Sequence, residues 1–516
     1  MPSARTARTR AAVLAAAALL LPLLGAAGPA AAAAGESEVS GVVTSLVSGE
    51  PLGGVVIELV TLDADMEIVS YASVGVTATD PSAPGGVGSY TVRVPTDPPP
   101  HTYLRAGTDT ALSYDAAGHT VPDPGTTVDA VGSRWDIALV DTGRFQPVDP
   151  VRLYDSRTDD DRRPVGARET VVVDPDLSWL PEIPVAVVLN VTTTRTACAG
   201  TYLAEAAHIG PSGTDASIVN ARAGADVANL VTMKPLIDAD GVASLALYNH
   251  TCPTHVVVDL QGYYAPHAPE LAGFVPVRPE RVADTRVAGG ALGPHESLVV
   301  PVADIATTAP ADAVAVAVNL TATGSTAPTS YLSAFAADDP EGSATSALNA
   351  VRGADVANLA IVPLSADGEI EVYNDAGRTH VVVDVLGWYS AENGFSYMPL
   401  DHRRTASVYA PPLGPGMTRN DHVVTRGVAL SGIAEAVVLN VTSTGATSPT
   451  SYVTVFDGSG NPRPATSNLN PRRGVDLANS TMVRVLMGWS VYNNAGSVRL
   501  LEDVQGYFTW TADDWA

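Results

Sequence analysis

Three tyrosine–asparagine pairs are the residues of this chain whose types and spacing best suit ligand recognition. Each pair ends a predicted strand at a turn. The pairs are Tyr248–Asn249, Tyr373–Asn374 and Tyr492–Asn493. A tyrosine ring stacks on the apolar face of a pyranose, and a neighbouring amide can hydrogen-bond the sugar hydroxyls. The pairs are therefore candidate ligand-binding residues, although packing at the strand end is the favoured alternative.

Repeated carboxylates form a second candidate set. Asp259, Asp384 and Asp503 each lie inside an apolar predicted strand. A carboxylate in such a strand is either functional or, more commonly, satisfied by hydrogen bonds from a turn or by an arginine. We expect the structural role, with arginines pairing the strand acids directly or through the acids of their own segments. The expected partners are the segments Asp155–Arg157 and Asp284–Arg286.

The third occurrence of that Asp-x-Arg pattern is broken. Ser407 and Tyr409 stand where the first two occurrences have Asp and Arg. If the pair bound a ligand, the last copy would be silent. If the pair braces a junction between modules, the last copy no longer requires it, and this second explanation is the simpler one.

Five asparagines begin an Asn-x-Thr sequence, which is an acceptor pattern for N-glycosylation. They are Asn190, Asn249, Asn319, Asn440 and Asn479. Asn190, Asn319 and Asn440 lie inside apolar strands, where a glycan would not fit. We therefore predict that these three amides bond strand backbone.

The motifs of common catalytic sites are missing from the sequence. It contains no nucleophile elbow, zinc-binding helix, phosphate loop or Cys/His pair with a third orienting group. Ten histidines are scattered along the chain. His255 and His380 occupy equivalent places, but Arg499 stands at the third. We predict a protein that is not an enzyme and that has no cofactor and no metal site.

These residues are set in three diverged copies of one unit. Three sequence blocks recur in the same order in all three copies. The asparagines of the first block, Asn190, Asn319 and Asn440, are 129 and 121 residues apart, and the asparagine of the second block recurs at the same spacings. The first copies of the blocks are AVVLNVT (186–192), GADVANL (224–230) and HVVVDLQGYY (255–264). Each unit holds eight or nine short apolar runs separated by turn residues, without a helical period. The pattern predicts three jelly-roll-like β-sandwiches, at 144–268, 269–391 and 392–516, which could pack around a pseudo-threefold axis.

The repeated units resemble uncharacterised β modules of secreted actinobacterial proteins. Their shared marks are an opening such as FQPVDPVRLYDSR (145–157), then VLNVT, then ANL, and a closing VDV-x-GWY (383–389). The resemblance covers about 365 residues. It implies an exported protein, in which such modules occur alone or beside cell-wall enzymes, and it implies no particular reaction.

The N-terminal part has two predicted segments. Residues 1–34 combine three arginines, an apolar stretch at Ala11–Leu24 and small residues, as a secretory signal does. Residues 35–143 contain alternating strands in VSGVVTS (39–45), GEPLGGVVIELV (49–60) and GSYTVRVP (88–95). This segment resembles the carboxypeptidase regulatory-like domains, which implies a small transthyretin-like sandwich without catalytic residues. Because an exported chain meets an oxidising environment, the two cysteines, Cys198 and Cys252, predict one disulfide.

Composition narrows the choice of partners. The chain of 516 residues carries 55 acidic and 29 basic residues, a net charge of −26. Such an excess of carboxylates repels phosphate backbones and anionic lipid, so we expect no nucleic-acid partner and no membrane insertion. The sequence predicts a secreted protein, free or held non-covalently at the cell wall. Its tandem modules would bind cell-wall or extracellular polysaccharide or a surface protein; the alternatives are a spacer without ligand and, less favoured, a cryptic glycan-active enzyme.

Overall fold

The computed structural model describes the chain between residues 36 and 509, with gaps. In the N-terminal part it covers 36–45, 51, 55–62, 68–95, 102–108, 111–114 and 137–139. From residue 142 onward it omits only 160–161, 174–176, 178, 181–182, 207–215, 238–242, 267–270, 341, 343–344, 405–410, 422–423, 426–427, 430–433, 459 and 486–487. The predicted signal, 1–34, lies outside the described residues. The described part is almost entirely β with one four-residue helix, which confirms the predicted class, and within it no helix is long and apolar enough to cross a membrane.

The N-terminal segment forms one sheet of seven strands. They are β1 (Glu36–Ser45), β2 (Val56–Leu62), β3 (Ile68–Val76), β4 (Ser89–Pro95), β5 (Thr102–Thr108), β6 (Ala111–Tyr114) and β7 (Ile137–Leu139). Hydrogen bonds join them in the order β3-β2-β5-β6-β7-β1-β4. The end strands β3 and β4 also touch, because a Cβ on Gly75 would lie 2.5 Å from Val92 Cγ1. The sheet thus folds on itself and buries Val39, Ile57 and Val92.

Each repeat supplies its own set of strands. Repeat 1 contains β8 (Arg144–Asp155), β9 (Glu169–Val173), β10 (Ala186–Thr194), β11 (Thr201–Glu205), β12 (Val219–Ala221), β13 (Val227–Met233), β14 (Leu236–Ile237), β15 (Ala243–Asn249) and β16 (His255–Ala265). Repeat 2 contains β17 (Gly273–Asp284), β18 (Glu296–Val300), the helix α1 (Val302–Ile305), β19 (Ala313–Thr323), β20 (Thr329–Ala336), β21 (Leu348–Val351), β22 (Val356–Pro363), β23 (Ile370–Asn374) and β24 (His380–Ser390). Repeat 3 contains β25 (Ser396–Arg404), β26 (Met417–Asp421), β27 (Val424–Thr425), β28 (Val428–Ala429), β29 (Ala436–Thr444), β30 (Val453–Asp457), β31 (Leu477–Arg484), β32 (Trp489–Asn493) and β33 (Arg499–Thr509).

The strands of repeat 2 have jelly-roll connectivity. One sheet, the inner sheet, has the order β17-β24-β19-β22, which are the first, eighth, third and sixth strands of the repeat. The outer sheet has the order β18-β23-β20-β21, the second, seventh, fourth and fifth strands. The inner sheets of the other repeats, β8-β16-β10-β13 and β25-β33-β29-β31, follow the same order. Two Greek keys produce this arrangement, so the predicted jelly-roll-like sandwich is confirmed.

The inner sheets are buried on both faces. In β10, Val187 and Leu189 lie in the core of repeat 1, whereas Ala186 and Val188 belong to a cluster shared by all three repeats. All nine residues of β10 are buried, and β29 is nearly the same. A strand covered on both faces needs a continuous apolar run rather than alternation. This explains the repeated AVVLNVT block.

The three inner sheets meet at one central axis. Near their beginnings, the first strands of the repeats bond each other in pairs, each pair through two backbone hydrogen bonds of 2.7–2.9 Å. The bonded pairs are Phe145–Ala272, Phe274–Phe395 and Tyr397–Gly143. Each repeat therefore contacts both of the others, in the pseudo-threefold arrangement that the repeats allow.

Six aromatic rings close around this axis, one from the first and one from the eighth strand of each repeat. In order around the circle they are Phe145, Tyr264, Tyr397, Phe508, Phe274 and Tyr389, and neighbouring centroids lie 4.3–5.2 Å apart. Aromatic pairs attract at such distances. A glycine in each eighth strand makes room for the rings: a Cβ on Gly387 would lie 2.3 Å from Phe274 Cζ.

The predicted disulfide between Cys198 and Cys252 is present. It links the turn after β10 to the turn before β16. In repeat 2 the equivalent residues are Ala327 and Gly377, which lie so close that a Cβ on Gly377 would be 2.8 Å from Ala327 Cβ. The same junction thus forms in another repeat without a covalent link.

We expect the double variant Cys198→Ala/Cys252→Ala to fold and to lose about 2 kcal/mol of stability. Cross-links that close loops of this size typically contribute ~2–4 kcal/mol, and the turn keeps its hydrogen bonds. Urea unfolding of both proteins under oxidising conditions measures the difference. A variant that fails to fold would show that repeat 1 depends on the link in a way that repeat 2 does not.

Candidate functional site

The asparagines of the predicted Tyr-Asn pairs are withdrawn from solvent. Asn249, Asn374 and Asn493 each have 0% exposed surface. The Asn249 amide nitrogen donates to the carbonyls of Val165, Gly166 and Cys252 at 2.8–2.9 Å, and the other two make equivalent bonds. These side chains brace the turn that joins strands seven and eight. The structure therefore corrects the prediction that they contact a ligand, because a sugar cannot reach them.

The tyrosines of the same pairs lie differently. Tyr248, Tyr373 and Tyr492 are half-buried on the solvent side of the outer sheet, since their neighbours in the strand point into the core. Each lies near a second half-buried tyrosine, which lies in the fourth strand of repeats 1 and 2 and directly before it in repeat 3. We call the resulting sets aromatic patches: patch 1 is Tyr202 and Tyr248, patch 2 is Tyr331 and Tyr373, and patch 3 is Tyr452 and Tyr492.

Each aromatic patch has a nitrogen-bearing neighbour. In patch 1 the His250 ring stacks on Tyr202 at 4.5 Å and meets Tyr248 edge-on at 6.4 Å. In patch 2, His295 Nδ1 lies 2.7 Å from the hydroxyl of Tyr373. In patch 3 the Arg463 guanidinium lies over Tyr492, 4.2 Å from the ring centroid, a cation–π contact. The patches thus share their rings and differ in their polar rims.

The fourth-strand tyrosines were missed in the sequence. A signal for them exists, because Tyr202, Tyr331 and Tyr452 occur in the similar triplets TYL, SYL and SYV at equivalent points of the three repeats. Strands four and seven pair in the outer sheet, and their register places each of these tyrosines diagonally beside the tyrosine of strand seven. The linear spacing does not show this.

A cleft opens beside patch 3, between repeats 2 and 3. Its cavity of about 310 Å³ is lined by Arg281, Arg286 and Asp355 from one repeat and by Ser451, Tyr452 and Asn494 from the other, together with threonines and small residues. The volume lies at the lower end of the range for small-ligand sites. The lining offers hydroxyls, two amides, guanidinium groups, one carboxylate and one aromatic ring.

The buried aspartates of the eighth strands pair with arginines that the sequence did not indicate. Asp259, Asp384 and Asp503 each accept two hydrogen bonds of 2.7–3.2 Å from one guanidinium. The donors are Arg152, Arg281 and Arg404, which lie directly opposite these acids in the neighbouring first strand. This corrects the expected direct pairing with Arg157 and Arg286, each of which binds the acid of its own segment, Asp155 or Asp284, at 2.6 Å.

The pKa values of these acids follow their surroundings. Burial raises the pKa of the Asp384 carboxyl, and the bidentate contact with Arg281 opposes that rise. Hydrogen bonds from Arg286 lower the pKa of Asp284, which is less buried. In repeat 3, Arg404 still holds Asp503, while Ser407 and Tyr409 lie outside the described residues. Repeat 3 thus keeps the arginine that neutralises the buried acid.

Six asparagines tie the repeats together. Each third-strand asparagine donates to a backbone carbonyl of the next repeat: Asn190 to Ser346 at 2.5 Å, Asn319 to Ser467 at 2.7 Å, and Asn440 to Ser217. The sixth-strand residues Asn229, Asn358 and Asn479 donate to the side-chain oxygens of Asn440, Asn190 and Asn319. All six are 1% exposed, so no glycan fits at any of these positions, and the amides hold the pseudo-threefold contact. Among the residues that the structure describes, no group of three or more His, Cys, Asp or Glu side chains is arranged to hold a metal.

Comparison with known proteins adds little to this description. No protein-family model and no curated protein matches the chain. One similar solved structure is described as the triple jelly roll fold and turret assembly of an archaeal virus, with 9% identity over 77% of this chain and 88% of that chain and a TM-score of 0.16. Another is from Sulfolobus Turreted Icosahedral Virus, with 8% identity, the same coverage of both chains and a TM-score of 0.15. Similarity at this level carries no argument, and the jelly-roll assignment is based on the strand order.

Proposed function

We propose that this protein is exported and non-enzymatic, and that it binds cell-wall or extracellular glycan through its three aromatic patches. The observation that carries the proposal is the repetition of a half-buried tyrosine pair on the solvent side of each outer sheet. A ring required only for the sandwich core would point inward, as Trp388 and Trp489 do with 0% exposure. Tyrosine rings with polar neighbours suit the apolar face and the hydroxyls of a pyranose.

The polar cleft beside patch 3 is a second support. Arg286, Ser451 and Asn494 line it next to Tyr452, so a sugar stacked on that ring would have donors and acceptors within reach. The net charge of −26 disfavours polyanions such as nucleic acid, and it leaves neutral or amine-bearing polysaccharides as the preferred class.

Multivalency would compensate for weak single patches. The inner sheets meet at the axis, so the outer sheets and their patches face away from it on three sides. Such a molecule engages separate strands of a polymer network rather than one flat surface. Linked weak sites can raise the overall affinity by ~10²–10⁴ when geometry permits simultaneous contact.

We expect the purified protein to co-sediment with insoluble peptidoglycan or another cell-wall polysaccharide. Changing both tyrosines of one patch to alanine should weaken retention about tenfold, because the loss of a patch removes one of three linked contacts. Changing all six tyrosines should abolish retention. The measurement is the bound fraction as a function of polymer concentration.

Trp179→Ala is the matched control, since Trp179 is an aromatic side chain of repeat 1 that is 51% exposed and outside the patches. Retention unchanged by loss of all six tyrosines would contradict the glycan-binding proposal. No retention on any polymer would favour the alternative, a spacer without ligand. The burial of Asn249, Asn374 and Asn493 already favours that alternative over a binding site built from those asparagines.

A further inference from the structure

A small cavity lies where all three repeats meet. Equivalent residues of the three repeats line it, among them Ala228, Ala357 and Ala478, so it sits on the pseudo-threefold axis. Its volume is about 30 Å³. One buried water requires a cavity volume of ~10–15 Å³, so the space suits one or two waters or one ion of similar size.

Residues that line this cavity carry nitrogen donors without protein acceptors. Arg222 Nη1, Asn349 Nδ2, Asn470 Nδ2 and Arg472 Nε are each buried and, among the described residues, have no hydrogen-bond partner, and all four residues belong to the lining. Each such donor destabilises the folded state unless something accepts its hydrogen bond. Four in one small space call for an acceptor-rich, donor-free occupant.

The charges at the cavity point the same way. Burial, and to a smaller degree the nearby Arg472, lowers the pKa of Arg222 to about 10, so this guanidinium stays charged at neutral pH. Burial also lowers the pKa of Arg472. Within the described part of the chain, neither makes an ion pair shorter than 4.0 Å. Asp226 and Asp355 also line the cavity, but Asp355 accepts from Thr323 at 2.5 Å and the charge of Asp226 acts on Arg157. Two partly buried like charges that make no close ion pair are unfavourable.

We infer that the axis cavity is a binding site for a chloride-sized monovalent anion held by Arg222, Arg472 and the amides of Asn349 and Asn470. A halide accepts from every side and donates nothing, which matches the four donors. It would offset one of the two guanidinium charges and link residues from all three repeats. The inference is independent of glycan binding at the outer sheets.

The first test is anomalous diffraction from crystals soaked in sodium bromide. We expect a bromide peak within about 3.5 Å of Arg222 Nη1 and Arg472 Nε, since hydrogen bonds to halides are slightly longer than those to oxygen. The variant Arg222→Val/Arg472→Val should lose this peak, and the valine is tolerable because Val351 holds the equivalent place in repeat 2. Bromide at other surface positions with only ordered water in the axis cavity would overturn the inference.

The second test is thermal unfolding with bromide replacing gluconate at constant ionic strength. Binding to the folded state alone raises its stability by mass action, so the unmodified protein should melt at least about 1–2 °C higher in bromide. The double valine variant should show no such rise. The control variant Arg352→Ala/Arg473→Ala removes two exposed charges nearby. Alanine is tolerable at this place because Ala223 holds it in repeat 1, and the control should respond to bromide like the unmodified protein. Equal responses of all three proteins would refute the site.

Discussion

Gly387→Ala is expected to lower the free energy of unfolding by at least about 4 kcal/mol or to prevent assembly of the three repeats. The new methyl group would lie 2.3–2.4 Å from ring atoms of Phe274 and 3.0 Å from the Val275 carbonyl. Overpacking of a core by one methylene commonly costs ~1–3 kcal/mol, and more where nothing can move. Here Phe274 cannot move, because it also contacts Tyr389 and Phe508 within the closed circle of six rings.

Urea unfolding followed by tryptophan fluorescence measures this loss, with Trp388 as a buried reporter one residue away. Gly200→Ala is the matched control, since the nearest atom to a Cβ at Gly200 is 3.8 Å distant, and it should change stability by less than about 1 kcal/mol. Equal stability of the two variants would show that the aromatic circle is loose, contrary to the packing described above.

Asp384→Ala is expected to cost about 3–4 kcal/mol. Asp384 is 1% exposed at its side chain and holds the Arg281 guanidinium at 2.7 and 3.0 Å. Removal of one partner of a buried pair leaves the other charge without compensation, which typically costs ~3–5 kcal/mol. We choose the lower part of that range because Arg281 is about a third exposed, at 31%, and water can solvate part of it.

The control for this prediction is Asp284→Ala, which removes a carboxylate from the same arginine cluster. Its partner Arg286 is 48% exposed, and exposed pairs contribute only ~0–1 kcal/mol. The same urea measurement compares the two variants. A larger loss of stability in Asp284→Ala than in Asp384→Ala would mean that the Asp284–Arg286 pair, and not Asp384, holds the first strand in place.

Two choices that the sequence left open were decided by contacts distant in the chain. The Asp-x-Arg spacing suggested that Arg157 and Arg286 pair with the strand acids directly or through Asp155 and Asp284. They bind Asp155 and Asp284, and register places Arg152 and Arg281 opposite the strand acids. Bulges in the first strands shift that register, and a bulge depends on pairing with a strand about a hundred residues away. The asparagines beside the tyrosines were candidates for ligand binding, with packing at the strand end favoured, and the linear sequence does not show the turn carbonyls that accept their hydrogen bonds.

The linear sequence was sufficient to predict the all-β class, the three copies, the jelly-roll-like sandwich and the Cys198–Cys252 link, because strand periodicity, repetition and cysteine count are properties of the linear chain. It also marked the tyrosines of the seventh strand. The tertiary structure alone decided which face each buried strand shares with another repeat, and which residues meet at the axis. These contacts join positions more than a hundred residues apart, such as Asn358 and Asn190. Local patterns constrain a strand and its faces, but the partner of a face is set only when separate cores pack together.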